Sequence, residues 1–239
     1  MQIEFTKRLS NGLNFQAAYT YSKSEDTTSE ATSFLGGDSN QTGNNLKASR
    51  GYSRFHTPHR FTLFGTYRLP WLDKRKDFIG QMFGGWQVST VFKWVHGTPF
   101  TVTGATIDLD LDNFAEARPV LIDQSLLGRT YGNPNSSVAN LPASAFRAPT
   151  PADLDCCIVR RNAFYADGVK NVDLAISKKF LMPFEGHSLS VRADLFNAFN
   201  HVQFGFPNSN FTSTGFGQIT GLATQYVPRN VQFSLRYAF

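Results

Sequence analysis

The sequence predicts an all-β fold, an antiparallel transmembrane β-barrel to which this chain contributes about seven strands. Three observations support this class. Segments of about ten residues alternate apolar with polar side chains, the connections between them alternate between short and long, and 14% of the residues are aromatic. Successive side chains of a strand point to opposite faces. The pattern is therefore typical of a wall with one face toward lipid and the other toward a polar lumen.

The alternation is clearest in the last eleven residues, 229–239. Every second residue is apolar or aromatic, and the residues between them are polar until Ala238. Eleven residues are also about the length of a tilted transmembrane strand. The apolar positions are Val231, Phe233, Leu235, Tyr237 and Phe239.

Six earlier segments show the same period of two, which Lys7 and Phe64 interrupt. A three-residue turn containing Asn11 and Gly12 predicts that the first two segments form a hairpin. All seven segments belong to one partial barrel domain, 1–239. The predicted strands are 2–9, 13–22, 60–69, 86–95, 171–180, 188–199 and 229–239.

The connections alternate strictly between short turns and long loops. Structureless loops above about 15 residues are uncommon in compact soluble domains. Outer-membrane barrels, in contrast, have short periplasmic turns and long extracellular loops. We therefore predict a Gram-negative outer-membrane location with the C-terminus on the periplasmic side. The predicted extracellular loops are 23–58, 96–168 and 200–228.

This orientation brings six aromatic residues close to the ends of the strands. Rings with an apolar body and a polar tip prefer the membrane–water interface. The predicted interfacial girdle consists of Tyr67, Trp71 and Trp86 near the periplasmic end and Tyr19, Tyr21 and Trp94 near the other end.

The strand count predicts that the chain is the C-terminal part of a longer protein. Bacterial single-chain barrels have even strand counts, and seven is odd. Seven strands would also leave two open edges, whose backbone groups cost several kcal/mol each in hydrocarbon. The N-terminus has no basic segment followed by an apolar core, as a signal peptide would have. At least one strand is expected before Met1.

Composition and charge argue against several other classes. No segment approaches the run of about 18 apolar residues that a transmembrane helix needs. The net charge of +5 is dispersed along the chain, and the Lys74-Arg75-Lys76 cluster lies in a predicted turn. A nucleic-acid-binding protein usually has a concentrated basic patch. We predict outer-membrane lipid, and no nucleic acid, as a partner.

The sequence also predicts no enzyme, cofactor or metal site. It lacks a Gly-x-Ser-x-Gly nucleophile elbow. His56 and His59 flank Thr57-Pro58, and the proline excludes the helical spacing of a zinc protease. We interpret both histidines as polar loop-end residues, and we assign no role to the isolated His187 and His201.

Two loop features suggest weaker alternatives. Asp108, Asp110 and Asp112 alternate, and clustered carboxylates suit calcium, but the Gly and distal Glu of an EF-hand loop are absent. A solvated acidic loop is the preferred interpretation. Cys156 and Cys157 are too few for a disulfide framework or a four-ligand zinc site. A bond between neighbours would be strained, so we interpret them as loop residues without a catalytic role.

Several segments resemble a known family. In order and spacing they are similar to the C-terminal barrel strands of Oar-like TonB-dependent receptors. Those receptors have a carboxypeptidase-regulatory-like domain, a plug and a 22-stranded barrel, so the resemblance implies strands 16 to 22. The segments are TPHRFTLFGTYRLP (57–70), GWQVSTVFKWVHGTPFTVTG (85–104), NVDLAISKKF (171–180), VRADLFNAFNHVQFGFP (191–207) and RNVQFSLRYAF (229–239).

The resemblance implies a parent protein that imports a solute, with a glycan or peptide favoured over a siderophore. A plug and a TonB box, which couple such receptors to the TonB energy complex, are missing from this chain. In such barrels the final strand is read by the barrel-assembly machinery. The implied assembly signal is Val231, Phe233, Leu235, Tyr237 and Phe239.

Other functional classes stay open at this point. One is a passive porin or surface adhesin without energy coupling. Another is a soluble secreted β-sandwich with an aromatic core. An outer-membrane phospholipase would need a Ser, a His and a polar partner, and the sequence shows no such pairing.

Overall fold

The computed structural model describes residues 1–29, 49–71, 75, 77–104, 118–132, 134, 141–153 and 156–239. Helix α1 spans Phe78–Phe83, and 3-10 turns occur at Gln124–Leu126, Ala143–Ala145 and Pro151–Asp153. In chain order the strands are β1 (Gln2–Ser10), β2 (Leu13–Tyr21), β3 (Glu25–Asp26), β4 (Gly51–Tyr52), β5 (His59–Arg68), β6 (Gln87–Val95), β7 (Pro99–Phe100), β8 (Val120–Leu121), β9 (Thr130–Tyr131), β10 (Phe146–Arg147), β11 (Phe164–Ala166), β12 (Val169–Leu181), β13 (Ser188–Phe196) and β14 (Asn230–Ala238).

The seven long strands form one antiparallel sheet, which we call the wall. Each long strand pairs with the next one along the chain, in the order β1-β2-β5-β6-β12-β13-β14. Their bounds lie within about three residues of those that the alternation predicts, the usual uncertainty of such boundaries. Within the described residues no pairing joins β1 to β14, so the wall is open at both edges.

Register aligns the apolar positions of neighbouring strands on one face of the wall. Residues directly opposite each other in an antiparallel pair share a face. Leu63 lies opposite Ala17 on one side and Phe92 on the other. Ile176 similarly lies between Val88 and Ala193. The wall therefore has one continuous apolar face, as the alternation predicts.

The opposite face is polar, and Phe64 is an exception on it. Thr66 lies between Asn14 and Ser89 and shares a hydrogen bond of 3.1 Å with the Ser89 hydroxyl. Phe64 belongs to this face and lies opposite Val91. Phe64 breaks the alternation because its apolar side chain lies on the polar face of the wall.

Nothing in the described residues covers the apolar face. Phe233 is 82% exposed and Leu235 70% exposed, although both lie within β14. In water this exposure would forgo roughly 1.5–3 kcal/mol per large apolar side chain. A soluble sandwich would bury this face against a second sheet, so that alternative is wrong for this wall. No helix within the described ranges is long and apolar enough to cross a membrane.

Short connections lie at one end of the wall, the turn end, and include α1. The Asp77 carboxylate caps α1 by accepting the Gly80 N–H at 3.0 Å. The Lys178 ammonium, which projects from the apolar face, donates to the Gly84 carbonyl just after the helix. Sequence analysis treated this segment only as a connection. The helix leaves Phe78 and Phe83 exposed.

Long connections fold together at the other end, the loop end. We call the described parts of 23–58, 96–168 and 200–228 the cap. The alternation predicts only long loops here, whereas the structure shows a packed core and several short strands. That core contains Phe100, Val102, Leu121, Leu126, Tyr131, Leu141, Ala145, Phe146, Val159, Ala163, Phe164, Ala166 and Phe216.

Close backbone contacts occur where the cap meets the wall. A Cβ at Gly97 would lie 1.8 Å from the Ala166 carbonyl oxygen, and one at Gly168 would lie 2.4 Å from the Val95 oxygen. Only glycine permits this approach of two chain segments. The cap core therefore begins immediately beyond the ends of β6 and β12.

Candidate functional site: the wall, the cap and the cavity between them

Residues of the predicted assembly signal lie along the apolar face of β14. Val231, Leu235 and Tyr237 are opposite Leu195, Val191 and Leu189 of β13, respectively. Phe239 follows the strand and stacks against His187, with ring centroids 6.3 Å apart. The Tyr237 hydroxyl also contacts the His187 ring nitrogen. His187, to which the sequence assigned no role, thus supports the end of the last strand.

At the loop end, the predicted girdle residues meet around His59. The Tyr19 hydroxyl and His59 Nδ1 are 2.8 Å apart. Tyr21 and Trp94 lie 5.3 and 6.2 Å from the His59 ring, respectively. The structure therefore brings together three aromatic residues that sequence analysis grouped only by depth. His59 itself is the first residue of β5.

At the turn end, one of the other three girdle residues, Trp86, contacts α1. The Trp86 indole donates to the Met82 carbonyl at 3.2 Å, and the Lys178 ammonium lies 5.7 Å from the Trp86 ring centre. Tyr67 lies opposite Val88, and Trp71 is exposed. The girdle as a membrane-interface feature remains a prediction.

Arg161 joins two separate parts of the cap. Its side chain is 2% exposed. Its Nε donates to the Ser49 carbonyl at 3.2 Å, and an Nη donates to the Asp26 carbonyl at 3.0 Å. It also forms an ion pair with the Asp26 carboxylate. No sequence pattern predicts this role for Arg161, because its partners lie more than a hundred positions away.

His56 lies in the loop just before β5 and is buried in the cap. The side chain is 3% exposed and stacks on Tyr52, with ring centroids 4.4 Å apart. Its Nδ1 accepts the Ser24 N–H at 3.2 Å. Burial lowers the pKa of His56 below its ordinary 6.5, and nearby His96 lowers it further. Other charged neighbours that influence His56 are Lys23, Glu25 and His59.

We expect the cap to loosen at acidic pH because of His56. The folded cap disfavours the imidazolium, so unfolding binds a proton and stability is lost as pH falls below about 6.5. Hydrogen exchange of residues 49–56, corrected for intrinsic rates, should be faster at pH 5 than at pH 7.5. His56→Gln should reduce this pH dependence, and His201→Gln, which alters an exposed histidine, should retain it. Equal pH dependence in both variants would show that His56 does not cause the loosening of the cap at acidic pH.

Cys156 and Cys157 form a disulfide with each other, despite the strain expected for neighbours. Asp153 lies near them, and the three side chains are within 4.8 Å of one another. Disulfide sulfurs are not thiolate ligands, and Arg147 already forms an ion pair with Asp153 at 2.6 Å. That pairing and two hydrogen bonds from Thr150 lower the pKa of Asp153. Asp108, Asp110 and Asp112 lie outside the described residues.

A cavity of about 730 Å³, which we call the vestibule, separates the cap from the loop end of the polar face. The wall contributes Arg60, Lys93, Asn171 and Asp173. Phe204 and Val227 of the last long connection line the opposite side. The sequence pattern places these residues in separate strands and loops and predicts no site for any of them.

Asn197 holds the last long connection over the vestibule. It is buried and has a positive φ of 47°. Its N–H donates to the Asp173 carboxylate at 2.8 Å, while its amide donates to the His201 and Val227 carbonyls at 3.1 and 3.0 Å. Asn adopts this left-handed conformation more readily than most residues. The vestibule is therefore a built cavity rather than a gap between loops.

Together, these features define a membrane-spanning β-barrel wall with a folded cap at one end. The model of the outer membrane beta barrel domain family matches residues 1–232. The chain therefore belongs to that family, and its apolar face is expected to contact outer-membrane lipid. No curated protein and no solved structure gives a significant match.

Proposed function

We propose that this chain forms the C-terminal part of the barrel of a TonB-dependent outer-membrane receptor, which imports a solute captured at the cap. The vestibule carries this proposal, because it places a ligand-sized cavity directly on the polar face. Loops held on a rigid scaffold commonly carry recognition. The similarity of the segments to Oar-like receptors supports energy-coupled import over a passive porin or adhesin.

The open edges of the wall support a larger barrel. β1 and β14 each have one neighbour within the described residues, and unpaired strand edges are not tolerated in hydrocarbon. We therefore propose that further strands close the wall. We propose a 22-stranded barrel of which these are the last seven strands, with a plug that connects the lumen to the TonB energy complex.

Two experiments on the parent protein test energy coupling. The DNA upstream of codon 1 should continue in frame through further strands to a plug and a TonB box. The purified full-length protein should then bind the purified periplasmic domain of TonB in a calorimetric titration, and deletion of the TonB box should abolish that binding. An upstream region without a plug, or unchanged binding after the deletion, would favour a passive porin or adhesin.

Thiol labelling of intact cells tests the proposed orientation. The only native cysteines are paired with each other, so an introduced cysteine would be the sole free thiol. Thr214→Cys places a thiol on the exposed surface of the cap, and Glu185→Cys places one at the turn end. A membrane-impermeant maleimide should label Thr214→Cys on intact cells and Glu185→Cys only after outer-membrane permeabilisation. The reverse result would invert the topology.

The last strand is also proposed as the signal for the barrel-assembly machinery. An exposed strand with a uniform apolar face can be recognised by strand addition to an open edge. Deletion of residues 237–239 from the full-length parent should reduce its outer-membrane level and lead to periplasmic degradation. As a control, Thr214→Ala in the cap should not change the level, measured by immunoblotting of membrane fractions. A normal level of the deletion variant would contradict the assignment.

A further inference from the structure

Two cations of the vestibule lie side by side on the polar face of the wall. Arg60 of β5 is opposite Val95 of β6, and Lys93 of β6 is opposite Thr62 of β5. Arg60 and Lys93 are thus diagonal neighbours on adjacent strands. Diagonal Cα atoms are about 7–8 Å apart, within the reach of long side chains. Both side chains can therefore contact one small group in the vestibule.

Neither cation has a hydrogen bond or an ion pair with any residue that the structure describes. Some other arginines of the chain form ion pairs, such as Arg161 with Asp26 and Arg192 with Asp194. Asp173 lies on the same face, diagonal to Lys93, but forms no ion pair with either cation, so the two neighbouring positive charges repel each other. An anion between them would remove that repulsion.

The carboxylates of the vestibule already accept hydrogen bonds from neighbouring residues. Asp167 accepts the Gly168 N–H at 2.9 Å and the Phe204 N–H at 3.2 Å. Asp173 accepts the Asn171 amide at 2.9 Å as well as the Asn197 N–H. Both acids therefore hold the cap in place. Arg60 and Lys93 are the charged groups of the vestibule that remain available to a ligand.

The last long connection adds several large apolar side chains to the lining of the vestibule, beside the polar Gln203, Thr224 and Gln225. Phe206, Leu222 and Val227 are among these apolar side chains, and each is more than half exposed. Ligand sites typically combine an apolar lining of this kind with a few convergent polar groups, in cavities of about 300–1,000 Å³. A ligand with an anionic head and an apolar body would satisfy both sides.

We propose that the vestibule binds the carboxylate or phosphate group of a partly apolar solute, with Arg60 and Lys93 as its anion-binding residues. The planar guanidinium of Arg60 would make two parallel hydrogen bonds to two anion oxygens, and the Lys93 ammonium would add a compact charge. The site would make the imported solute a partly apolar anion. Its biological role therefore rests on the proposed import function. Binding itself can be measured without transport.

Binding of three probes to the purified full-length parent protein in detergent tests the site. The probes are 1-naphthoate, 1-naphthyl phosphate and uncharged 1-naphthol, titrated by calorimetry. The anionic probes should bind at least about tenfold more tightly than naphthol. The tighter of the two anions identifies carboxylate or phosphate as the preferred head group. Equal affinity for all three probes would overturn the proposal, and this test needs no variant protein.

Variants then locate the site. The double variant Arg60→Gln, Lys93→Gln should lose at least about tenfold in affinity for the preferred anion and keep its affinity for naphthol. A matched variant, Arg8→Gln, Arg236→Gln, removes two cations near the turn end and should bind as the parent does. The exchange Arg60→Lys, Lys93→Arg keeps the charge and should retain anion binding. An equal loss in the matched variant would overturn the assignment, whereas retained anion binding without TonB binding would refute only import.

Discussion

Replacing Leu63 by arginine is expected to destabilise the folded protein in a bilayer by about 2–4 kcal/mol, while arginine at the adjacent Phe64 should change stability by less than about 1 kcal/mol. Both native residues are apolar and neighbours in β5. Leu63 lies among Ala17 and Phe92 on the apolar face, and Phe64 lies on the polar face opposite Val91. Only their orientation toward lipid or lumen distinguishes the two substitutions.

Comparing the two variants therefore shows whether the apolar face of the wall contacts lipid or whether any apolar position of β5 is equally sensitive to arginine. The full-length parent would be refolded into phosphatidylcholine vesicles, and unfolding by denaturant would be followed through tryptophan fluorescence. Leu63→Arg should shift the unfolding midpoint strongly, and Phe64→Arg should shift it little. A loss of similar size at both positions would mean that the two faces meet the same environment.

Replacing Arg161 by methionine is expected to release the first part of the cap from the rest. Methionine keeps much of the side-chain volume but removes the bonds to the Ser49 and Asp26 carbonyls and the ion pair with Asp26. Removing one partner of a buried pair typically costs about 3–5 kcal/mol. We expect about 3 kcal/mol, near the lower limit of that range, because Asp26 stays partly exposed.

The matched control is Arg160→Met, which alters the preceding, exposed arginine. Hydrogen exchange should show faster exchange of residues 26–29 and 49–53 in Arg161→Met. The exchange of β12 to β14 should be unchanged, because the wall has its own ladder of hydrogen bonds. Equal protection of the first cap segment in both variants would show that Arg161 does not join the two parts.

The wall was predictable because its side chains alternate between two different environments, lipid and water. A strand between lipid and water must alternate, so β14 could be identified from Val231 to Phe239 without knowledge of any partner. Lys178 breaks that pattern on the apolar face for a local reason. Its long side chain reaches the Gly84 carbonyl at the turn end, and such cations commonly extend their charge toward a polar boundary.

The cap and the vestibule were not predictable from the same information. Val102, Leu141, Phe164 and Phe216 meet in the cap core from distant segments that have no common period. α1 has a capping residue in Asp77, but six residues are too few for a clear helical pattern. Likewise, the proximity of Arg60 and Lys93 depends on the register of β5 against β6. That register became known only from the structure.

Accessibility of spin labels along β14 tests the membrane orientation of the wall most directly. Single cysteines at positions 231 to 236 of the full-length parent would carry a nitroxide in vesicles, and relaxation by oxygen would be compared with relaxation by a water-soluble nickel complex. Labels at 231, 233 and 235 should favour oxygen, which concentrates in lipid, and labels at 232, 234 and 236 should favour nickel. If the labels at 231, 233 and 235 were inaccessible to both agents, these side chains would lie in a dry protein core, and the outer-membrane wall would be contradicted.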